Sequence, residues 1–152
     1  MRDKIVAYFS ASGNTKKISE NLAKTINADI FEIEPEIKYT PEDLDWTNKE
    51  SRSTKEMNNK TFRPPIKSTT DTSQYNTIYI GFPVWWYTAP TIINTFIESI
   101  NTENKTLIPF CTSGGTGIEG CQKDLEQTYP NIKWEKGKRL KAGNQSEIKN
   151  WI

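Results

Sequence analysis

Three segments of the chain gather residue types that can hold a small ligand. Ser10-Ala11-Ser12-Gly13-Asn14-Thr15 sets three hydroxyls, an amide and one glycine just ahead of a helical pattern. Backbone N–H groups at a helix N-terminus, helped by hydroxyl donors, can hold a phosphate without arginine. The same residues also suit an ordinary turn and N-cap. Pro83-Val84-Trp85-Trp86-Tyr87-Thr88-Ala89 places three consecutive aromatics on a connection. At least one of them should stay exposed and offer a stacking platform for a planar ligand, while one or two can cover the core. Thr112-Ser113-Gly114-Gly115-Thr116-Gly117 carries three glycines, which let backbone approach a ligand edge and present N–H groups to it.

What the chain lacks narrows the chemistry. It has no histidine, which excludes His-dependent triads, imidazole zinc sites and imidazole acid–base steps. Its two cysteines, Cys111 and Cys121, form no C-x-x-C pair and fall short of a structural zinc site. They suit a reducing compartment. The apolar run in MRDKIVAYFS is too short for a signal-peptide core, and no stretch is long enough to span a bilayer, so a soluble cytoplasmic protein is expected. With 20 basic and 19 acidic side chains, a net charge of +1 gives no electrostatic case for nucleic acid. A length of 152 residues is one domain's worth, able to bury a core without staples.

Three rival motifs fail on their own terms. Gly115-Thr116-Gly117-Ile118-Glu119-Gly120 spells G-x-G-x-x-G, and Glu135 stands near the distance of a ribose-binding acid. Only about 30 residues follow, too few for the strands that a dinucleotide fold still needs. Cys111 before a glycine-rich loop suggests a thiol phosphatase, but residue 117 is glycine where an arginine must clamp the phosphate, so that charge stabilisation is missing. A phospho-acceptor domain needs an aspartate at the end of its third strand, and Gly81-Phe82-Pro83 stands there.

The elements that must position the three segments are legible around them. IVAYFS, TIYIGF and TLIPFC are apolar runs with little alternation, each followed by a helical pattern, which points to parallel strands covered on both faces. DIFEIE alternates like an edge strand, and NIKW follows Pro130 as a fifth. Ile18, Leu22 and Ile26 form one buried stripe; Ile93, Phe96, Ile97 and Ile100 form another behind Thr88-Ala89-Pro90; Ile118, Cys121 and Leu125 form a third. Thr116 with Glu119 fits a capping box. Residues 40–68 break the alternation: Thr40-Pro41-Glu42-Asp43 is a helix start, the rest is polar, and Arg63-Pro64-Pro65 stops it. A lid-like insertion between strands 2 and 3 is expected there, and Ser146–Ile152 makes about two helical turns. In an open α/β sheet ligands bind at the carboxyl ends of strands, so the three segments are expected to converge.

In YFSASGNTKKIS, GFPVWWYTAP and IPFCTSGGTGIEG the chain resembles the flavodoxins. Three motifs occur in the family's order, each after a strand, and the resemblance spans most of the chain. It implies a single α/β domain over 1–152, a flavodoxin-like three-layer sandwich with a five-stranded parallel sheet of order 2-1-3-4-5, and FMN as cofactor. Ser10, Ser12, Gly13, Asn14 and Thr15 would hold the phosphate. Pro83, Val84, Trp85, Trp86 and Tyr87 would flank the isoalloxazine, with Trp85 or Trp86 bordering it. Thr112, Ser113, Gly114, Gly115 and Gly117 would line its pyrimidine side. Three departures stand out. The third loop lacks an aromatic cover for the outer flavin face. Tyr87 occupies a position where relatives often have a flexible glycine, which implies a loop that resists the backbone turn stabilising one-electron-reduced flavin. The chain also lacks the strong acidity of carrier flavodoxins. These departures favour an FMN-dependent oxidoreductase using NAD(P)H and a small-molecule acceptor, monomeric or homodimeric. The alternative is a one-electron carrier serving a redox protein. Metal ligands are not expected.

Overall fold

The computed structural model describes residues 3–11, 13–113, 115–141 and 143–152. Ser12 and Gly114, both expected in the ligand site, lie outside the described residues. The chain runs β1 (Lys4–Tyr8), α1 (Asn14–Ile26), β2 (Asp29–Glu32), α2 (Arg52–Met57), β3 (Thr77–Pro83), α3 (Thr91–Ser99), β4 (Thr106–Thr112), α4 (Glu119–Thr128), β5 (Lys133–Trp134), β6 (Lys138–Arg139) and α5 (Gln145–Trp151). The sheet is parallel throughout, in the order β2-β1-β3-β4-β5, with β6 also paired to β4.

Alternation along each central strand divides the apolar side chains between two faces. Ile5, Ala7 and Phe9, with Ile78, Ile80, Phe82, Leu107 and Cys111, pack against α3 and α4. Val6, Tyr79, Ile108 and Phe110 pack against Ile18 and Leu22 of α1 and Ile148 of α5. Both faces are covered, which explains why these strands read as unbroken apolar runs. Among the described residues no helix is long and apolar enough to cross a membrane.

The fifth strand position is split, where the sequence suggested one strand. Leu107 O accepts from Glu135 N at 3.0 Å and Cys111 O from Leu140 N at 2.9 Å, so alternate residues of β4 face the fifth position. Between them on the same side stands Pro109, which has no N–H to donate. Opposite it sits Gly137, where a Cβ would lie 2.0 Å from Pro109 O. Gln122 of α4 holds the interruption from outside, donating from Nε2 to Glu135 O and accepting from Gly137 N, at 2.9 and 2.8 Å.

Two expected helix starts differ. Helix α4 begins at Glu119 with Ile118 in the cap position and no side-chain cap, so the Thr116–Glu119 capping box does not form. Ile118 is buried, and its insertion into the core sets where the helix begins. Thr40 and Asp43 do exchange reciprocal hydrogen bonds, yet only turns follow until Ser51 caps α2. The ends of this connection are pinned together, with Glu36 N donating to Pro65 O and Lys67 N to Glu34 O, both at 2.9 Å.

Candidate functional site

The three chemistry-bearing loops leave the carboxyl ends of β1, β3 and β4 side by side. Direct bonds fasten them. Phe9 N donates to Gly81 O at 3.0 Å, and Val84 N to Thr112 O at 3.1 Å. Thr15 Oγ1 and Thr112 Oγ1 lie 2.8 Å apart in the interior.

In the first loop Gly13 adopts φ 93° at the start of α1, with no side-chain cap and no acidic residue in the first turn. Its own N–H donates to Ser10 Oγ at 3.0 Å. The following N–H groups of the 13-residue helix have no intrahelical partner by geometry. Gly13 and Asn14 are exposed, and among the described residues nothing beyond its chain neighbours lies within 4 Å of where a Gly13 Cβ would project. Among the described residues nothing caps or neutralises this open helix N-terminus, which is of the kind that receives an anion. Thr15 differs from its neighbours, because it is buried and its hydroxyl is directed at Thr112.

In the second loop Trp85 and Thr88 exchange backbone bonds of 2.9 and 3.0 Å. Trp86 and Tyr87 between them have φ of 49° and 67°. This is the left-handed pair that a type I′ turn demands, normally supplied by Asn or Gly. The absence of glycine suggested a loop resisting positive φ; here two aromatics already have it. The paired Trp85–Thr88 bonds require that geometry, and Cys121 Sγ approaches Tyr87 O at 3.6 Å to hold it. The indoles are not equivalent. Trp85 meets Phe9 and Tyr39 edge-on at 5.7 and 5.5 Å. Trp86 and Tyr87 remain 40% and 74% exposed.

The third loop curls back on itself through Ser113 Oγ, which donates to Thr116 O, and Arg139 Nη2 donates to Ser113 O at 3.2 Å. Gly115 is exposed, with open space where a Cβ would stand. Gly117 is half-buried and precedes α4. Cys111, at the end of β4, is fully buried, and burial pushes its thiol up to about 12. It is no thiolate nucleophile.

A cavity of about 390 Å³ opens between Val84–Tyr87 and Thr116. Its remaining wall comes from Leu44, Trp46 and Ser53 of the β2–β3 connection, residues that the sequence motifs do not single out. Trp46, an isolated indole in a polar run, was the one available signal, and it is 72% exposed. Ser53 is buried, and its Oγ has no hydrogen-bond partner among the described residues. The wall is braced by Tyr39, whose hydroxyl donates to Glu56 while Arg52 lies over its ring and bonds Glu56 at 3.0 Å. Burial and that carboxylate push the Tyr39 hydroxyl well above the usual phenol range. An anion cradle, an aromatic-lined cavity and an unsatisfied hydroxyl suit a phosphorylated planar ligand, and FMN fits that donor set. Among the described residues no group of His, Cys, Asp or Glu side chains is arranged to hold a metal.

The family model described as Flavodoxin matches residues 3–152. The crystal structure of a candidate flavoprotein from Bacteroides uniformis ATCC 8492 is 45% identical with a TM-score of 0.97, covering 99% of this chain and 97% of that one. A second, from Bacteroides eggerthii DSM 20697, is 42% identical with a TM-score of 0.95, covering 99% and 96%. A flavoprotein from Lactobacillus acidophilus NCFM, in complex with FMN, is 22% identical with a TM-score of 0.77 over 99% of each chain, and shares the fold. No curated protein matches the chain.

Proposed function

The chain belongs to the flavodoxin family, and from that premise we propose that it binds FMN and serves as an oxidoreductase, taking reducing equivalents from NAD(P)H to a small acceptor. The uncapped N-terminus of α1 carries the cofactor assignment. Ser10, Ser12, Gly13 and Asn14 bind the phosphate, Trp86 and Tyr87 flank the ring, and Ser113, Gly115 and Gly117 meet its polar edge. Trp85 and Thr15 support these groups from beneath, through Phe9 and Tyr39 and through Thr112. Bound flavin supplies the redox chemistry. The chain's part is to hold the ring, keep water from one side of it and leave the other side reachable.

Two observations favour a small substrate over a docked protein. The net charge of +1 provides no acidic field to steer a basic partner. The cavity wall contributed by Leu44 and Trp46 makes a concave approach to the ring site. On this reading the protein works in the cytoplasm, as a monomer or homodimer.

Absorbance spectroscopy of FMN-loaded protein under anaerobic conditions tests the assignment. Bleaching of the flavin band on adding NADH or NADPH is the expected result. A spectrum unchanged by either nucleotide, but bleached by a reduced protein donor, would establish the carrier function instead. Equal dissociation constants for FMN and riboflavin would remove the phosphate role of the first loop.

A further inference from the structure

A second cavity, of about 430 Å³, lies on the other side of the third loop, between the start of α4, β6 and α5. Lys136, Lys138 and Arg139 all line it, against a single acidic residue, Glu119. In a chain of 20 basic and 19 acidic residues, this clustering is local and not a by-product of overall charge. None of the ion pairs among the described residues uses these three cations. Among the described residues the buried Arg139 Nε has no hydrogen-bond partner, while Nη2 holds Ser113 O.

The cavity's position explains how three near-consecutive cations come to share it. Lys138 and Arg139 are the two residues of β6, paired with Phe110 and Cys111, so their side chains alternate across the sheet. Both line the cavity because it runs around the β6 edge, from the start of α4 on one face to α5 on the other. The aromatic wall is fixed as well, since Trp151 packs edge-on to Tyr79 at 5.6 Å and donates from Nε1 to Lys136 O at 3.4 Å. Adjacent residues join this pocket to the ring site: Thr116 lines the aromatic cavity and Gly117 the basic one.

We infer that this basic pocket binds the phosphate groups of a nucleotide whose other end reaches the aromatic cavity. The nucleotide's identity as the electron donor rests on the oxidoreductase reading above; the anion site itself does not. Guanidinium and ammonium groups around a preformed concavity suit pyrophosphate and phosphomonoester oxygens, and the indole wall suits an adjoining base or ribose.

Calorimetric titration of FMN-saturated protein with adenosine 2′,5′-bisphosphate, pyrophosphate and adenosine tests the site. The bisphosphate should bind, weakening as salt rises, pyrophosphate should compete with it, and adenosine should bind poorly. Lys136→Glu/Lys138→Glu should weaken the bisphosphate by about tenfold or more, with FMN affinity and melting temperature retained. Lys138→Gln should give a smaller loss. Absence of bisphosphate binding, adenosine binding as tight as the bisphosphate, or binding indifferent to the double variant would each overturn the proposal. With NADH or NADPH as reductant the double variant should raise KM and leave kcat unchanged. If the bisphosphate binds as described and neither nucleotide reduces the flavin, the anion site stands and the oxidoreductase reading fails.

Discussion

Thr15 and Thr112 join the first and third ligand loops through hydroxyls 2.8 Å apart, although 97 residues separate them in sequence. Both are buried, so each hydroxyl depends on the other. Thr112→Val should cost about 1–3 kcal/mol by leaving Thr15 Oγ1 unsatisfied. The double variant Thr15→Val/Thr112→Val should recover part of that loss. Urea denaturation of the four proteins measures it; strictly additive losses would mean that the hydroxyls act independently.

Trp85 and Trp86 are expected to separate stability from binding. Trp85→Ala removes the indole wedged against Phe9 and Tyr39 and should destabilise the fold by about 2–4 kcal/mol. Trp86→Ala should leave stability nearly unchanged and weaken FMN by about 1–3 kcal/mol, by analogy with base–aromatic stacking. Thermal melts and FMN fluorescence titrations of both variants decide, and FMN affinity unaffected at Trp86 would exclude it from the ring.

Tyr87 has φ 67° and is 74% exposed. Its backbone strain is therefore offset by little side-chain packing. Tyr87→Gly should stabilise the apoprotein by about 1 kcal/mol, raising Tm by roughly 2–4 °C at this size. A lowered Tm would mean that the tyrosine ring contributes more than its exposure indicates.

Glu98 ties the β2–β3 connection to α3. Arg63 bonds its carboxylate at 3.0 Å, and that guanidinium, with the Tyr129 hydroxyl, holds the Glu98 carboxyl below its ordinary value of 4.5. Because the folded value is the lower one, the pair's stabilisation is present above the unfolded value and disappears as pH falls through the folded one. With Glu98 43% exposed, the effect on stability should be small. An NMR titration should show the Glu98 carboxyl moving up in Arg63→Gln; an unchanged value would exclude Arg63 as the cause.

Cys111 and Cys121 should resist thiol reagents in the native protein at pH 8. Both are fully buried, and burial pushes both thiols up to about 12, leaving little thiolate to react. Labelling should track global unfolding, and rapid modification of native protein would contradict the observed burial.

The parallel strands were readable because Ile5–Phe9, Ile78–Phe82 and Leu107–Cys111 are buried on both faces, and burial on two sides leaves a continuous apolar run. Helix stripes such as Ile18 and Leu22 were readable for the corresponding reason on one side. The split fifth strand was harder to see, because its cause, Pro109, lies in the neighbouring strand. The Trp86–Tyr87 turn contradicts local propensity, so only tertiary bonding reveals it. Leu44, Trp46 and Ser53 belong to no motif; their place at the site comes from how the connection folds back, which no short-range pattern encodes.

The break at Pro109 also divides the sheet dynamically. β5 and β6 each pair with β4 over only two residues, whereas β3 pairs with β4 over seven. That margin should open locally at far lower free energy than the centre, and amide hydrogen exchange should be fast across 133–139 while Ile78–Phe82 exchanges only on global unfolding. The three cations therefore sit on the part of the sheet that breathes most readily. An anion bound there would register as slowed exchange along this margin, with the central strands unchanged.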